Sequence, residues 1–163
     1  MTSGKEHDKS IKRWSIPFAL LIGVLLDAKS GLISGTAFLT GGLWLSPDLD
    51  AHSLALKRWG FLKILWWPYQ KVIRHRSIFS HGPFIGTSVR VGYLLFLSMI
   101  LIFFIKPIGL SSVLSAANFI SKVVKQYPKD YLAVLLGLEA SAWLHIIKDG
   151  DPMPQRWAKR RHK

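Results

Sequence analysis

The chain has 163 residues, of which 50% are hydrophobic, and a formal net charge of +13. This length predicts a single domain, and positive mean hydropathy combined with strong basic charge is typical of a small polytopic membrane protein rather than a soluble domain. Because the chain has no cysteine, disulfides and thiolate metal sites are excluded, and any metal must bind through nitrogen and oxygen atoms.

Four apolar runs predict membrane helices, which need about 20 largely apolar residues each. They cover residues 14–26, 32–45, 84–105 and 131–147. The first two runs are short, so a buried helical hairpin, or helices that dip in without crossing, is the alternative to four spans. Within the longer runs, Glu139 could ligate a metal, act as a base, or pair with Arg90 inside the bundle, and we favour the pair because each charge would otherwise be unpaired.

Two further segments predict helices outside the spans. Residues 51–82 interleave aromatic and basic side chains, which indicates a helix lying in the lipid headgroup region. Residues 111–127 form a second amphipathic helix. The predicted fold class is therefore all-α, a polytopic membrane helical bundle with about four membrane helices plus interfacial helices. Residues 1–150 form one domain, and 151–163 form a basic tail.

The distribution of basic residues predicts the orientation of the bundle. With four spans, sixteen of the 22 Lys and Arg residues lie on the side of both termini and five on the other side. This bias places both termini in the cytoplasm, and we expect an integral protein of a bacterial inner membrane. The first run lacks a leader-type cleavage pattern, so it is expected to be a retained helix. Because orientation accounts for the basic tail, membrane lipids rather than nucleic acid are the expected partners.

Histidines and paired acids occur where the apolar runs begin or end, and four spans would bring all of them to one membrane face. Seven of these residues are candidate metal ligands: His7, Asp48, Asp50, His75, His81, His145 and Asp149. Since a single catalytic zinc uses three protein ligands, seven candidates suggest two metals, or one metal with carboxylates that orient the histidines.

Each cluster also has a simpler explanation when it is taken alone. His145 and Asp149 are four residues apart on a helix, where they can form an ordinary side-chain pair. Asp48 and Asp50 follow a Ser-Pro helix start and can merely complement the helix dipole. Two acids so close repel each other, however, and a metal ion would relieve that repulsion.

The motifs together resemble a known group. These are the Gly-x-x-His-Asp start, Ser46-Pro47-Asp48-Leu49-Asp50, His75-Arg76-Ser77 followed by Ser80-His81-Gly82-Pro83, and the late His145 with Asp149. They resemble small uncharacterised metal-binding membrane proteins, which are similar to bacterial inner-membrane metal-dependent hydrolases and distantly to zinc-dependent phospholipase C and P1-type nucleases. The resemblance implies that the seven residues occupy ligand positions.

The function expected from these motifs is hydrolysis of a phosphoester, on a membrane lipid or a lipid-linked phosphate. A divalent metal would activate water, with Asp50 or Asp149 as general base and Arg74 or Arg76 holding a phosphate oxygen. Zinc suits the histidine and aspartate donors best, and iron or manganese would also fit. The alternative is a non-enzymatic metal-binding membrane protein, such as a sensor, a buffer or a metal-handling factor.

Overall fold

The computed structural model describes residues 4–105 and 110–150, and within these ranges every regular element is helical. The all-α prediction is therefore confirmed. The basic tail 151–163 lies outside the described residues. The division into one domain and a tail stays a prediction.

The first two helices form an antiparallel hairpin. Helix α1 (Gly4–Leu25) is followed after two residues by α2 (Ala28–Trp44), whose first turn is capped by the Asp27 carboxylate accepting from the Ser30 backbone N–H at 2.8 Å. Glycine permits the close approach, because a Cβ on Gly35 would overlap Ala19.

Five short helices follow α2, and the last four of them replace the single interfacial helix that was predicted between residues 51 and 82. In order they are a 3₁₀ helix at Pro47–Asp50, α3 (Leu54–Arg58), a second 3₁₀ helix at Gly60–Trp66, α4 (Trp67–Val72) and α5 (Ile78–His81). The segment does not form one continuous helix, because Ser53 caps a new helix and Gly60 adopts a positive φ of 56°. Trp66 and Tyr69 are buried in the small core that these pieces share.

The remaining chain forms three long helices, α6 (Ile85–Ile105), α7 (Leu110–Gln126) and α8 (Pro128–Lys148). Helix α8 packs against α2, where a Cβ on Gly137 would overlap the Ser34 carbonyl. Beside this contact, Ile11, Phe38 and Leu43 form a core that links α1 to α2. Helix α2 therefore lies between α1 and α8.

Two helices in the described part of the chain are long and apolar enough to cross a membrane. They are Ile85–Phe104 and Pro128–Lys148. The two shorter runs lie in α1 and α2, as helices of the predicted hairpin, but neither meets the same measure of length and hydropathy. The structure thus supports two candidate spans, and a bundle of four spans is not established.

Candidate metal centre

Three sequence-distant segments meet at one end of the α1–α2–α8 unit. Asp48, His81, His145 and Asp149 each offer one ligand atom, and these four atoms all lie within 4.8 Å of one another. We refer to these four residues as the metal cluster. They come from the first 3₁₀ helix, from α5, and from the end of α8 together with the residue that follows it. The convergence predicted from the four apolar runs therefore occurs in the fold.

Local hydrogen bonds hold each segment in place. Ser46 caps the first 3₁₀ helix by accepting from the Asp48 backbone N–H at 3.4 Å. His81 ends α5, where its backbone N–H donates to the Ser77 carbonyl at 2.8 Å. Asp149 caps the end of α8, one turn after His145, so both side chains project from the same face.

The distances within the metal cluster suit a shared cation. Asp48 lies between the imidazoles, with its Oδ1 3.6 Å from Nε2 of His81 and its Oδ2 3.4 Å from Nε2 of His145. Asp149 Oδ2 is 3.7 Å from the same His145 nitrogen. Two ligands about 2.1 Å from a tetrahedral zinc lie about 3.4 Å apart, so these separations fit a metal better than direct hydrogen bonds.

Two buried nitrogens provide an independent test of that fit. Nε2 of His81 and Nε2 of His145 are buried and have no hydrogen-bond partner among the described residues. Leaving a buried polar atom unsatisfied costs about 1–3 kcal/mol, and both atoms face the Asp48 carboxylate. A cation bound between them would satisfy both nitrogens, so the residues present fit a divalent metal.

The other nitrogen of each imidazole is held by a serine. Nδ1 of His81 contacts Ser80 Oγ at 3.0 Å, and Nδ1 of His145 lies 3.4 Å from Ser46 Oγ. A partner on one ring nitrogen fixes the tautomer and the ring orientation of a metal-binding histidine. Sequence reasoning did not select either serine, although both stand within the motifs that were quoted.

Asp50 and His75 lie beside the metal cluster and bind each other. The Asp50 carboxylate faces Nδ1 of His75 at 2.8 Å through Oδ1, and its Oδ2 accepts from the Arg76 backbone N–H at 3.1 Å. The same Oδ2 lies 3.5 Å from Nδ1 of His81. Asp50 therefore links the loop carrying His75 to the rear of the His81 ring.

His7 and Arg76 both approach Asp149. His7 stacks on His145 with ring centroids 4.0 Å apart, and its Nε2 is 3.0 Å from Asp149 Oδ1. Arg76 places Nη2 3.4 Å from Asp149 Oδ2. Arg76 has a φ of 58°, a left-handed conformation that costs a non-glycine residue about 1–3 kcal/mol and clusters at functional sites. Arg74, the alternative phosphate contact, has an exposed side chain.

The site is charged before any metal binds. Burial opposes ionisation of Asp48, but the facing imidazoles of His145 and His81 outweigh it, so the pKa of Asp48 lies well below its usual value. Burial also disfavours the charged form of His81, yet Asp48 and Asp50 raise the pKa of His81 above its ordinary value of 6.5. The pKa of His7, in contrast, is lowered by burial and by His145.

A buried arginine supports the site from behind. Arg90 is 2% exposed, and it donates to the Ser80 carbonyl at 2.5 Å and to Thr87 Oγ1 at 3.2 Å. Glu139 instead accepts the Phe84 backbone N–H at 2.7 Å, so the expected pair between Arg90 and Glu139 gives way to separate partners. The sequence marked Arg90 as a costly charge in an apolar run, but it could not show that its partner is a main-chain carbonyl.

Comparison with known proteins agrees with this site. A family model described as "Uncharacterized metal-binding protein (DUF2227)" matches residues 2–161. An uncharacterized protein of Aquifex aeolicus (strain VF5) is 51% identical over 61 residues, which is 37% of this chain and 43% of the relative. The match therefore spans less than half of that relative, and no solved structure matches the chain. Because the family model covers nearly its whole length, the chain belongs to this metal-binding family.

Proposed function

We propose that this member of the metal-binding family is a membrane-embedded, metal-dependent hydrolase of phosphoesters. Asp48, His81, His145 and Asp149 would hold the cation. The observation that carries the proposal is the pair of buried, unsatisfied Nε2 atoms that face a shared carboxylate. Two imidazoles and two carboxylates suit zinc first, and iron or manganese next.

The neighbouring residues suit a phosphoester substrate. When bound, a divalent cation activates water and polarises a phosphoryl oxygen. Arg76 lies at the edge of the metal cluster with 28% of its side chain exposed, so its guanidinium can also bind an incoming phosphate oxygen. The water adds to phosphorus, the ester P–O bond breaks, and the leaving oxygen takes up a proton.

The hydrogen-bonded pair of Asp149 and His7 is the better-placed proton acceptor for that water. The lowered pKa of His7 favours the neutral imidazole, whose Nε2–H donates to Asp149 Oδ1 and orients this carboxylate, and the carboxylate itself accepts the proton of the water. Asp50, in contrast, is not one of the four residues whose ligand atoms meet, and its carboxylate binds His75 and the Arg76 N–H. We therefore assign Asp50 to holding the loop and His81, and Asp149 to the reaction.

Exposed apolar side chains support the membrane part of the proposal. Helix α1 carries Ile16, Leu20 and Val24 at 68%, 66% and 86% exposure, and α6 carries Phe104 at 78%. Such faces mark contacts with lipid or with a partner. We propose that α6 and α8 cross a bacterial inner membrane together with the α1–α2 hairpin, and that both termini and the metal cluster lie on the cytoplasmic side, where basic residues concentrate.

The second candidate function is metal binding without catalysis, as in a sensor, a buffer or a metal-handling factor. It is favoured by the number of donors, because four protein ligands close a tetrahedral site and leave no position for water. In a hydrolase, the substrate would displace one of the two carboxylates from the metal, whereas in a non-enzymatic site all four protein ligands would stay bound. Asp149 is the candidate for this displacement, because Arg76 and His7 already bind it.

Elemental mass spectrometry on detergent-purified protein tests the proposal first. Wild type should carry at least one equivalent of metal, which His81→Ala and Asp48→Ala should lose. His52→Ala, an exposed histidine outside the metal cluster, is the matched control and should retain it. The metal-loaded protein is then assayed against lipid phosphates and simple phosphodiesters. Full metal content without hydrolysis of any substrate would favour the non-enzymatic function, and no metal in wild type after loading would contradict both.

A further inference from the structure

An apolar groove of about 620 Å³ runs between α1 and α8. Phe38 of α2 and Phe18 of α1, whose rings stack with centroids 5.0 Å apart, line it together with Trp14, Phe84, Trp143 and Leu144. Its volume falls within the range of small-molecule pockets, about 300–1,000 Å³. No element in the described part of the chain fills it.

The groove reaches the same end of α8 as the metal cluster. Its lining residues Leu144 and Ile147 flank His145 on α8, and its other wall is the helix that carries His7. Along α8 the lining extends from Leu136 to Ile147, about 16 Å at the helical rise of 1.5 Å per residue. The groove therefore runs away from the site along two helices that both reach it.

The chemistry of the lining selects an apolar ligand. Among the described residues that line the groove, only Glu139 is acidic, and its Oε1 accepts the Phe84 backbone N–H at 2.7 Å. The other lining residues are aliphatic or aromatic, so they offer methylene groups favourable burial. Beyond this end of α8, Arg76 lies 3.4 Å from Asp149 with 28% of its side chain exposed, and its guanidinium suits a phosphate.

We propose that this groove binds the acyl chain of a phospholipid substrate, with the phosphate of the same molecule at Arg76 and the metal cluster. The inference rests on the proposed function and specifies its substrate as an acylated phosphoester. The polarity of the two regions matches that of a lipid phosphate, which has an anionic end joined to a long apolar chain. The groove then selects substrates by chain length, because each buried methylene adds favourable contact.

Lipid binding can be measured without turnover by native mass spectrometry of the metal-loaded protein in octyl glucoside. The probes are palmitoyl lysophosphatidic acid and glycerol 3-phosphate, which share the phosphate and differ in the chain. Ala140→Phe places a ring in the groove, and Leu132→Phe adds the same ring on an exposed face of the same helix. We expect one bound lipid in wild type and in Leu132→Phe, at least tenfold weaker binding in Ala140→Phe, and unchanged metal content in all three.

Two outcomes would overturn the groove as the acyl site. One is equal binding of the palmitoyl probe by Ala140→Phe and wild type, and the other is wild type binding no more of it than of glycerol 3-phosphate. Where Ala140→Phe also loses metal, Leu136→Trp, which narrows the rim of the same groove, replaces it in the comparison. His81→Ala, which should lack metal, tests the groove independently of the reaction. If this variant still binds the palmitoyl probe more tightly than glycerol 3-phosphate, the groove binds the acyl chain without metal. A later failure to detect hydrolysis would then contradict only the proposed reaction.

Discussion

The guanidinium of Arg90 donates a hydrogen bond to the main-chain carbonyl of Ser80 at 2.5 Å. The next residue is His81, and Ser80 Oγ contacts Nδ1 of that histidine at 3.0 Å. Arg90 thus fixes both the backbone before His81 and, through Ser80, the orientation of its ring. This deeply buried charge therefore has a structural role at the metal cluster, although within the described part of the chain it forms no hydrogen bond or ion pair with the four cluster residues.

Arg90→Leu should weaken metal binding. Partners that orient a metal-binding histidine contribute about 10–100-fold in affinity, so we expect a loss in that range, measured by competition with a chromophoric chelator. Arg90→Lys can still donate to the Ser80 carbonyl and should recover part of the affinity. The d–d absorption of Co²⁺-loaded protein should change in Arg90→Leu, since it reports ligand geometry. Unchanged affinity and spectrum in folded Arg90→Leu would contradict the assignment.

Metal affinity should depend on the proton held by His81. Because Asp48 and Asp50 raise the pKa of His81 above 6.5, a metal must displace that proton, and apparent affinity should rise about tenfold per pH unit until the raised pKa is passed. In the metal-free protein the sign is opposite. The charged His81 stabilises the fold below about pH 6.5, and that contribution is lost as pH rises through its folded pKa.

Calorimetric titration in buffers of different ionisation enthalpy measures this proton release between pH 6 and 9. His7→Asn serves as the control, because burial and His145 lower the pKa of His7, which favours its neutral form. It should preserve the slope of affinity against pH. An affinity independent of pH over the whole range would show that His81 binds metal without losing a proton, and the assigned direction of its pKa would be wrong.

The sequence predicted which residues meet more reliably than how they pair. Hydropathy located four of the five long helices, namely α1, α2, α6 and α8, and the same pattern brought His7, Asp48, His81 and His145 to one end. The pairing of Asp50 with His75 and the support of His81 by Arg90 depend on contacts between residues 25 and 10 positions apart. No periodicity encodes such contacts. The short helix at Pro47–Asp50 was predicted from its Ser-Pro start, but the four between residues 54 and 81 were missed because aromatic and basic interleaving also fits one continuous interfacial helix.

Glycine at position 137 should be essential for packing α8 against α2. A Cβ there would overlap the Ser34 carbonyl, a main-chain atom that cannot move without shifting α2. Gly137→Ala should therefore lower the thermal midpoint in detergent, at a cost of about 1–3 kcal/mol typical of overpacking. Gly92→Ala on α6 meets no atom within 4 Å and is the matched control. It should hold or raise the midpoint, because alanine favours helix by about 1 kcal/mol. Equal destabilisation of both variants would contradict the close contact.

Two substitutions of Arg76 should differ in their effect on protein stability but have the same effect on hydrolysis. Its φ of 58° suits glycine, so Arg76→Gly should be more stable than Arg76→Ala by about 1 kcal/mol, the cost of a left-handed residue with a Cβ. Both variants lack the guanidinium that lies 3.4 Å from Asp149. They should therefore keep the metal and lose phosphoester hydrolysis to the same extent. Chemical denaturation and elemental analysis of the same preparations provide the comparison. Loss of metal in both variants would instead make Arg76 a support of Asp149, and full activity in either would remove it from substrate binding.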